Sequence, residues 1–409
     1  MLLFLTRNVA RLFFIFALFP FLSFGTNSMD SQPFYIFLAI LSFIFFSFSG
    51  LVFRKALDLI IISMIILLTL VLTTTNFDFL FIRATGSYFG FFIALIVSII
   101  YFERFGIPVK TIAIANIIYI FAGLIQLILG PHILDFLVVP NGFPTHGRGD
   151  ISLTPEPTFF GIVLFFFGWI HLVIYDYKPP KIIALLIFIN IVSIVFLAKS
   201  SMVIVFLIVS AFVYLLRNIF KKKIINKILI TSFVIFIFLY FFVVIYDGAR
   251  FSSIIRTFFA IEGGLIDKTL AVVYWDGSIN DRVLNVVFPY YGIVLNYGMP
   301  GGLHSYQAMS ILLVEHFDGF FWSGLGSNKI LSFIGAFIYE LGVIGIISIL
   351  YIYWFVKDNN NPNRFFELIL LFIVLNSAIA VALSLVPILI AIMYYKKSNP
   401  PSRSQNYDP

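Results

Sequence analysis

Apolar runs long enough to cross a hydrocarbon layer recur along this chain, separated by polar breaks. They cover approximately 34–53, 57–75, 85–102, 111–130, 159–175, 182–198, 202–216, 228–246 and 330–355. Each predicts a helix that can span a hydrocarbon core of about 30 Å, some with snorkelling ends. The opening segment sets Arg7 and Arg11 before the apolar run Leu12 to Phe24, so a signal peptide and an uncleaved first span compete. The similar segments that follow at regular intervals favour the span. The stretch 365–395 is long for one span and short for two, but Asn376-Ser377 and Pro387 interrupt it, which predicts a hairpin of two short helices. The pattern therefore predicts an all-α polytopic membrane protein of about twelve transmembrane helices, with eleven the alternative. It forms a single integral membrane domain, 1–409, whose residues 398–409 read as a disordered tail.

Charge orients this topology. Arg7, Arg11, Arg54, Lys55, Arg104, Lys110, Lys178, Lys181, Arg217, Lys221, Lys222, Lys223, Lys227, Lys357, Arg364, Lys396, Lys397 and Arg403, 18 of the 26 Lys and Arg, fall on one side, which is thereby read as cytoplasmic, with the N-terminus. Two long segments, 131–158 and 247–329, fall on the other. The second is long enough for helices of its own: Ser278, followed three residues later by Asp281, resembles a capping-box start, and Tyr306 to Phe317 is apolar enough to lie in the membrane interface.

Composition narrows the chemistry. A chain that is 61% hydrophobic and 11% charged belongs to the membrane class, with the lipid bilayer as its first partner. The net charge of +7 could indicate nucleic acid, but the basic residues are sorted by side, so no nucleic-acid partner is expected. Cysteine is absent, which removes disulfides and thiolate chemistry. No Gly-rich nucleotide loop, HExxH, GxSxG or DxD-type site occurs; neither metal nor cofactor is expected, and any energy source must arrive with the substrate.

The polar, glycine-rich stretch Thr145 to Gly161 reads as the outward rim of an active site. Arg148 precedes Glu156, a carboxylate between two prolines at the start of the sixth span, where the helix dipole favours an anion. There Glu156 serves as a base for a sugar hydroxyl, or as a structural acid holding Arg148. In the long loop, Arg250, Arg256 and Arg282 suit a pyrophosphate, whose oxygens accept the guanidinium fork, or else anchor headgroups. His304 and His316 are candidate bases or sugar contacts. Glu340, an acid inside an apolar run, must face a cavity or a polar partner such as Asn116 or Asn190. Lys199, in a very short turn with Ser200 and Ser201, is one more phosphate donor.

At Gly147-Arg148-Gly149-Asp150-Ile151-Ser152-Leu153-Thr154-Pro155-Glu156-Pro157-Thr158 the chain resembles the bacterial O-antigen and exopolysaccharide repeat-unit polymerases. Asp281-Arg282, Gly324-Leu325-Gly326 and Tyr339-Glu340-Leu341-Gly342 fit the same layout. The resemblance implies a GT-C-like, all-helical glycosyltransferase of the bacterial cytoplasmic membrane. It would join undecaprenyl-pyrophosphate-linked oligosaccharide repeats into O-antigen, capsule or exopolysaccharide, alongside a chain-length regulator and a flippase. Glu156, His304 and Glu340 are then the catalytic candidates, and Arg148, Arg250, Arg256, Arg282, Lys199 and His316 the substrate or pyrophosphate contacts. Related O-antigen ligases carry a His, a polar residue and, after nine more residues, Gly; here Glu315 stands at that offset from His304-Ser305, which weakens the ligase alternative. A flippase or other transporter is the remaining alternative, and it would place charges deep in several spans.

Overall fold

The computed structural model describes residues 2–23, 32–50, 54–140, 149–219, 250–324, 329–377 and 379–399. Arg148 and the expected span at 228–246 lie outside the described residues, as does the side chain of Arg250. The described residues are helical with no strand. The helices are α1 (Leu2–Leu18), α2 (Phe34–Phe48), α3 (Arg54–Thr73), α4 (Phe79–Phe105), α5 (Val109–Leu129), α6 (Pro157–Ile174), α7 (Lys181–Ser193) and α8 (Ser201–Ile219). After the undescribed segment come α9 (Arg250–Ala260), α10 (Leu265–Trp275), α11 (Gly277–Leu295), α12 (Tyr306–His316), α13 (Phe333–Leu341), α14 (Val343–Val356), α15 (Pro362–Leu375) and α16 (Leu385–Ser398). Stretches within α3, α4, α5, α6 and α7 with its π-helical extension to Ala198 are long and apolar enough to cross a membrane, and α2, α8 and α14 are shorter apolar helices. These helices mark a membrane protein.

Local chemistry fixes many of the boundaries. Asp78 caps α4 by accepting from the Phe81 N–H at 2.9 Å, and Ser332 caps α13 by accepting from Gly335 N at 3.0 Å. Proline opens α6 and α15 at the first helical position, where its missing N–H is no loss. The capping-box expectation at Ser278 is corrected: Asp276 is the cap, accepting from Ser278 N and Ile279 N, so α11 starts one residue before Ser278.

The helices alternate in direction between two ends. At one, the loop end, Ser384 Oγ donates to Ala17 O, Tyr35 Oη to Ala382 O and Gln126 Nε2 to Ser152 O. At the opposite end, Lys396 Nζ bonds Asp176 Oδ2 at 2.6 Å, Lys397 Nζ reaches Phe355 O, and Arg7 lies over the Phe105 ring. The middle belongs to α4, α6 and α16, each buried over long continuous stretches, as helices apolar all round must be. The predicted hairpin is present as α15 and α16, which part at Asn376, but α16 packs on α4 and α6 while α15 packs on α8. Pro387 does not interrupt; it sits in the first turn of α16.

A second hydrophobic cluster, with Leu284, Phe288, Tyr306, Leu313, Phe321 and Tyr339, joins the long-loop helices α11 and α12 to α13. In α12, Tyr306, Met309 and Leu313 are buried there while Ile311 and Leu312 stay exposed.

One expectation changes. The run 330–355, read as one span, is broken at Gly342 into α13 and α14. Gly342 has φ +60° and ψ −139°, a conformation closed to residues with a Cβ, and the Gly298 and Met299 backbone packs where that Cβ would be. The carbonyls freed by the break are satisfied from the preceding loop: Gly301 N donates to Tyr339 O at 2.8 Å and Gly302 N to Glu340 O at 3.2 Å. Val343 N in turn donates to Gly298 O at 3.0 Å.

Candidate functional site

A cavity of about 960 Å³, counted with its open mouth, opens at the loop end among α4, α6, α13, the 379–383 loop and Phe21, which follows α1. From α4 it takes Leu80, Arg83, Ala84, Ser87 and Tyr88, a stripe with helical spacing. From α6 come Phe159 and Ile162, from α13 Ala336 and Glu340, and from the segment before α13 Lys329 and Ile330. The wall is thus apolar with two cations and one carboxylate set into it.

Glu340 is the most buried of the three. It is 7% exposed and accepts the Tyr88 hydroxyl at 2.6 Å. Tyr88 lies nine residues into α4, about 13 Å from its start at 1.5 Å per residue. The carboxylate therefore faces a cavity and a partner together, and that partner is not Asn116 or Asn190. The ammonium of Lys329 is pushed below the ordinary lysine range by burial.

The polar stretch of the sixth span's entrance is folded into the bundle rather than left in solvent. Asp150 N donates to Leu197 O at 2.9 Å, Ser152 Oγ donates to Tyr119 O at 2.6 Å, and Ser152 N donates to Gln126 Oε1. Gly149 lies against the backbone of Leu197 and Ala198 so closely that a Cβ would collide with both. Burial raises the Asp150 carboxyl, and the nearby Lys199, at the end of the π-helical turn with φ +48°, opposes that rise. Glu156 is the N-cap residue of α6 with extended backbone, its side chain making no capping bond. It precedes the cavity-lining Phe159 by three residues.

The other expected residues are dispersed. His304 Nε2 bonds the Asn76 carbonyl at 3.1 Å and lies 3.6 Å from Asp78 Oδ1, which ties its loop to the α3–α4 turn; its neighbour Leu303 lines the cavity. His316 Nε2 pairs with the Tyr291 hydroxyl at 2.7 Å and is not among the lining residues. Arg256 lies exposed on α9, and Arg282 is half-buried beside Asp281. Arg83, Lys329 and Tyr88 are functional candidates that the sequence pattern alone does not single out. The stripe Leu80, Arg83, Ala84, Ser87, Tyr88, semi-polar in an apolar helix, was the available signal. Among the described residues no group of three or more His, Asp or Glu could hold a metal ion.

No family model matches the chain, and no curated protein or solved structure shows significant similarity to it.

Proposed function

We propose that this chain is a membrane glycosyltransferase that polymerises undecaprenyl-pyrophosphate-linked oligosaccharide repeats. The observation that carries the reading is the loop-end cavity, where Arg83, Lys329 and Glu340 interrupt an apolar wall. A lipid-linked sugar phosphate has that mixed character: hydrocarbon, dense negative charge and hydroxyls. The acceptor hydroxyl oxygen attacks the anomeric carbon of the donor chain, the bond from that carbon to the pyrophosphate oxygen breaks, and the hydroxyl proton passes to a carboxylate. Arg83 and Lys329 offset the charge growing on the leaving pyrophosphate, an electrostatic contribution strongest where water is excluded. Glu340 is the carboxylate inside the cavity and Glu156 the one at its rim, with Arg148, Arg250, Arg256, Arg282, Lys199, His304 and His316 as outer contacts for the saccharide and phosphates. The loop end then faces away from the cytoplasm of a bacterial cell, where a flippase delivers the repeats and a chain-length regulator works on the product.

One observation favours a transporter of the same lipid-linked substrate: α13 is a half-span helix of 9 residues that ends at Gly342 directly after a buried acid, and half-span helices are a common element of transport sites. Proteoliposomes containing the purified chain and lipid-linked repeats separate the two. Chain growth is expected, and Glu340→Gln should slow it by about 10² to 10⁴ if that carboxylate is the base. Normal chain growth in the Gln variants of both Glu340 and Glu156 would remove the carboxylate mechanism. Movement of unextended repeats across the bilayer, with no growth, would replace the polymerase by the transporter.

A further inference from the structure

The half of the bundle away from the loop end holds a second cavity, bounded by α6, α7, α8 and α15. It measures about 1310 Å³ with its open mouth, and Tyr177 and Asn363 place it toward the end that carries the Lys396–Asp176 ion pair. Aliphatic and aromatic side chains make up most of its wall.

Two lining groups break that character. Asn190 is 1% exposed and Trp169 4%, and among the described residues neither amide atom of Asn190 nor the indole N–H of Trp169 has a hydrogen-bond partner. Buried donors and acceptors are nearly always paired, because an unpaired one forfeits its hydration without return. Gly168 keeps the space before the amide open: a Cβ there would find Asn190 Nδ2 as its only neighbour, at 3.8 Å. The missing partner must therefore offer both a donor and an acceptor to Asn190 and an acceptor to Trp169, and carry apolar bulk.

Charge selects among lipids. Among the described residues the lining contains no Lys or Arg, and its one acid, Glu367, is paired with Arg364. A phosphate would meet no cation here, and a polyprenyl chain would set bare hydrocarbon against the orphan amide. We propose that this cavity binds a neutral glycerolipid with a free hydroxyl, of the diacylglycerol class. The hydroxyl donates to Asn190 Oδ1, ester carbonyls accept from Asn190 Nδ2 and Trp169 Nε1, and an acyl chain lies along the aliphatic wall. The site is independent of the loop-end cavity and of the reaction proposed there.

The test uses the full chain in nanodiscs with a diacylglycerol probe that carries a diazirine on one acyl chain, and maps the labelled peptides. Labelling is expected within 164–172, 187–194 and 207–214, and excess unlabelled diacylglycerol should abolish it. Asn190→Leu removes both polar atoms at nearly constant size, and Gly168→Phe fills the space before them. Each should lower labelling there about tenfold, the effect of losing one or two hydrogen bonds or the volume itself. Helical content and a single size-exclusion peak establish that a variant is folded; Ala211→Phe, from the α8 wall, substitutes for either that is not. Absence of labelling in these segments would overturn the proposal. So would unchanged labelling in the folded variants, or equal competition by a polyprenyl phosphate.

Discussion

Asp281 is a carboxylate caught between water and the second hydrophobic cluster. Burial raises its proton affinity, while Arg282 and the Asn285 amide, which donates to Asp281 Oδ1 at 3.0 Å, pull the other way; the net shift is upward from 3.8. Between 3.8 and the raised value the folded chain holds a proton that the unfolded chain has released. By linkage, stability falls as pH rises through that window and the full cost persists above it. Asp281→Asn should flatten this dependence in thermal unfolding followed at stepped pH from about pH 4 upward. An unchanged slope would assign the titration to another group. The candidate residues differ in how plainly the sequence announces them. Glu340 announces itself because an acid inside an apolar run must find a partner, whereas Tyr88, which supplies that partner, reads as one more aromatic. His304 and His316 read as open chemistry, yet both imidazoles are engaged, by the Asn76 carbonyl and the Tyr291 hydroxyl. Such bonds join residues 228 and 25 positions apart, which no local pattern encodes.

At the scale of elements, apolar period and length locate nearly every described helix, since a run that must bury its backbone in lipid has few other forms. Breaks are harder to read. The interruption at Asn376-Ser377 was legible because polar residues stop an apolar run, while the break at Gly342 was hidden because glycine is common in spanning helices and nothing polar follows it. The entrance to α6 shows the same limit. Its glycines suggested a rim, but only the fold shows Gly149 pressed on the backbone that ends α7. Gly149→Ala should therefore destabilise the chain by roughly 1–3 kcal/mol, the usual cost of forcing atoms into a packed site. Thermal unfolding in detergent measures it, with Gly86→Ala as control, because a Cβ at Gly86 meets open space. Equal melting temperatures for the two variants would show that the α7 end yields freely.

For the molecule as a whole, 149–156, 298–305, 376–377 and 379–384 come together at one end and the Lys396–Asp176 pair lies at the other. The basic bias predicts that a reporter fused at Ser278 reports the outside and one at Asp358 the cytoplasm. Fusions that report the same compartment would overturn the paired-end topology, whichever way it faces. A further consequence lies in the placement of α16. Ten consecutive side chains of this helix, Leu385 to Tyr394, are buried, and they fill the middle of the bundle between α4 and α6. Yet α16 follows every other described helix in chain order, so the centre is filled only after α4 and α6 have been made. Until α16 is in place, the faces of α4 and α6 that it covers lack the surface they bury against. Closure of this bundle thus waits on α16: a chain that lacks 385–398 leaves the seat between α4 and α6 open.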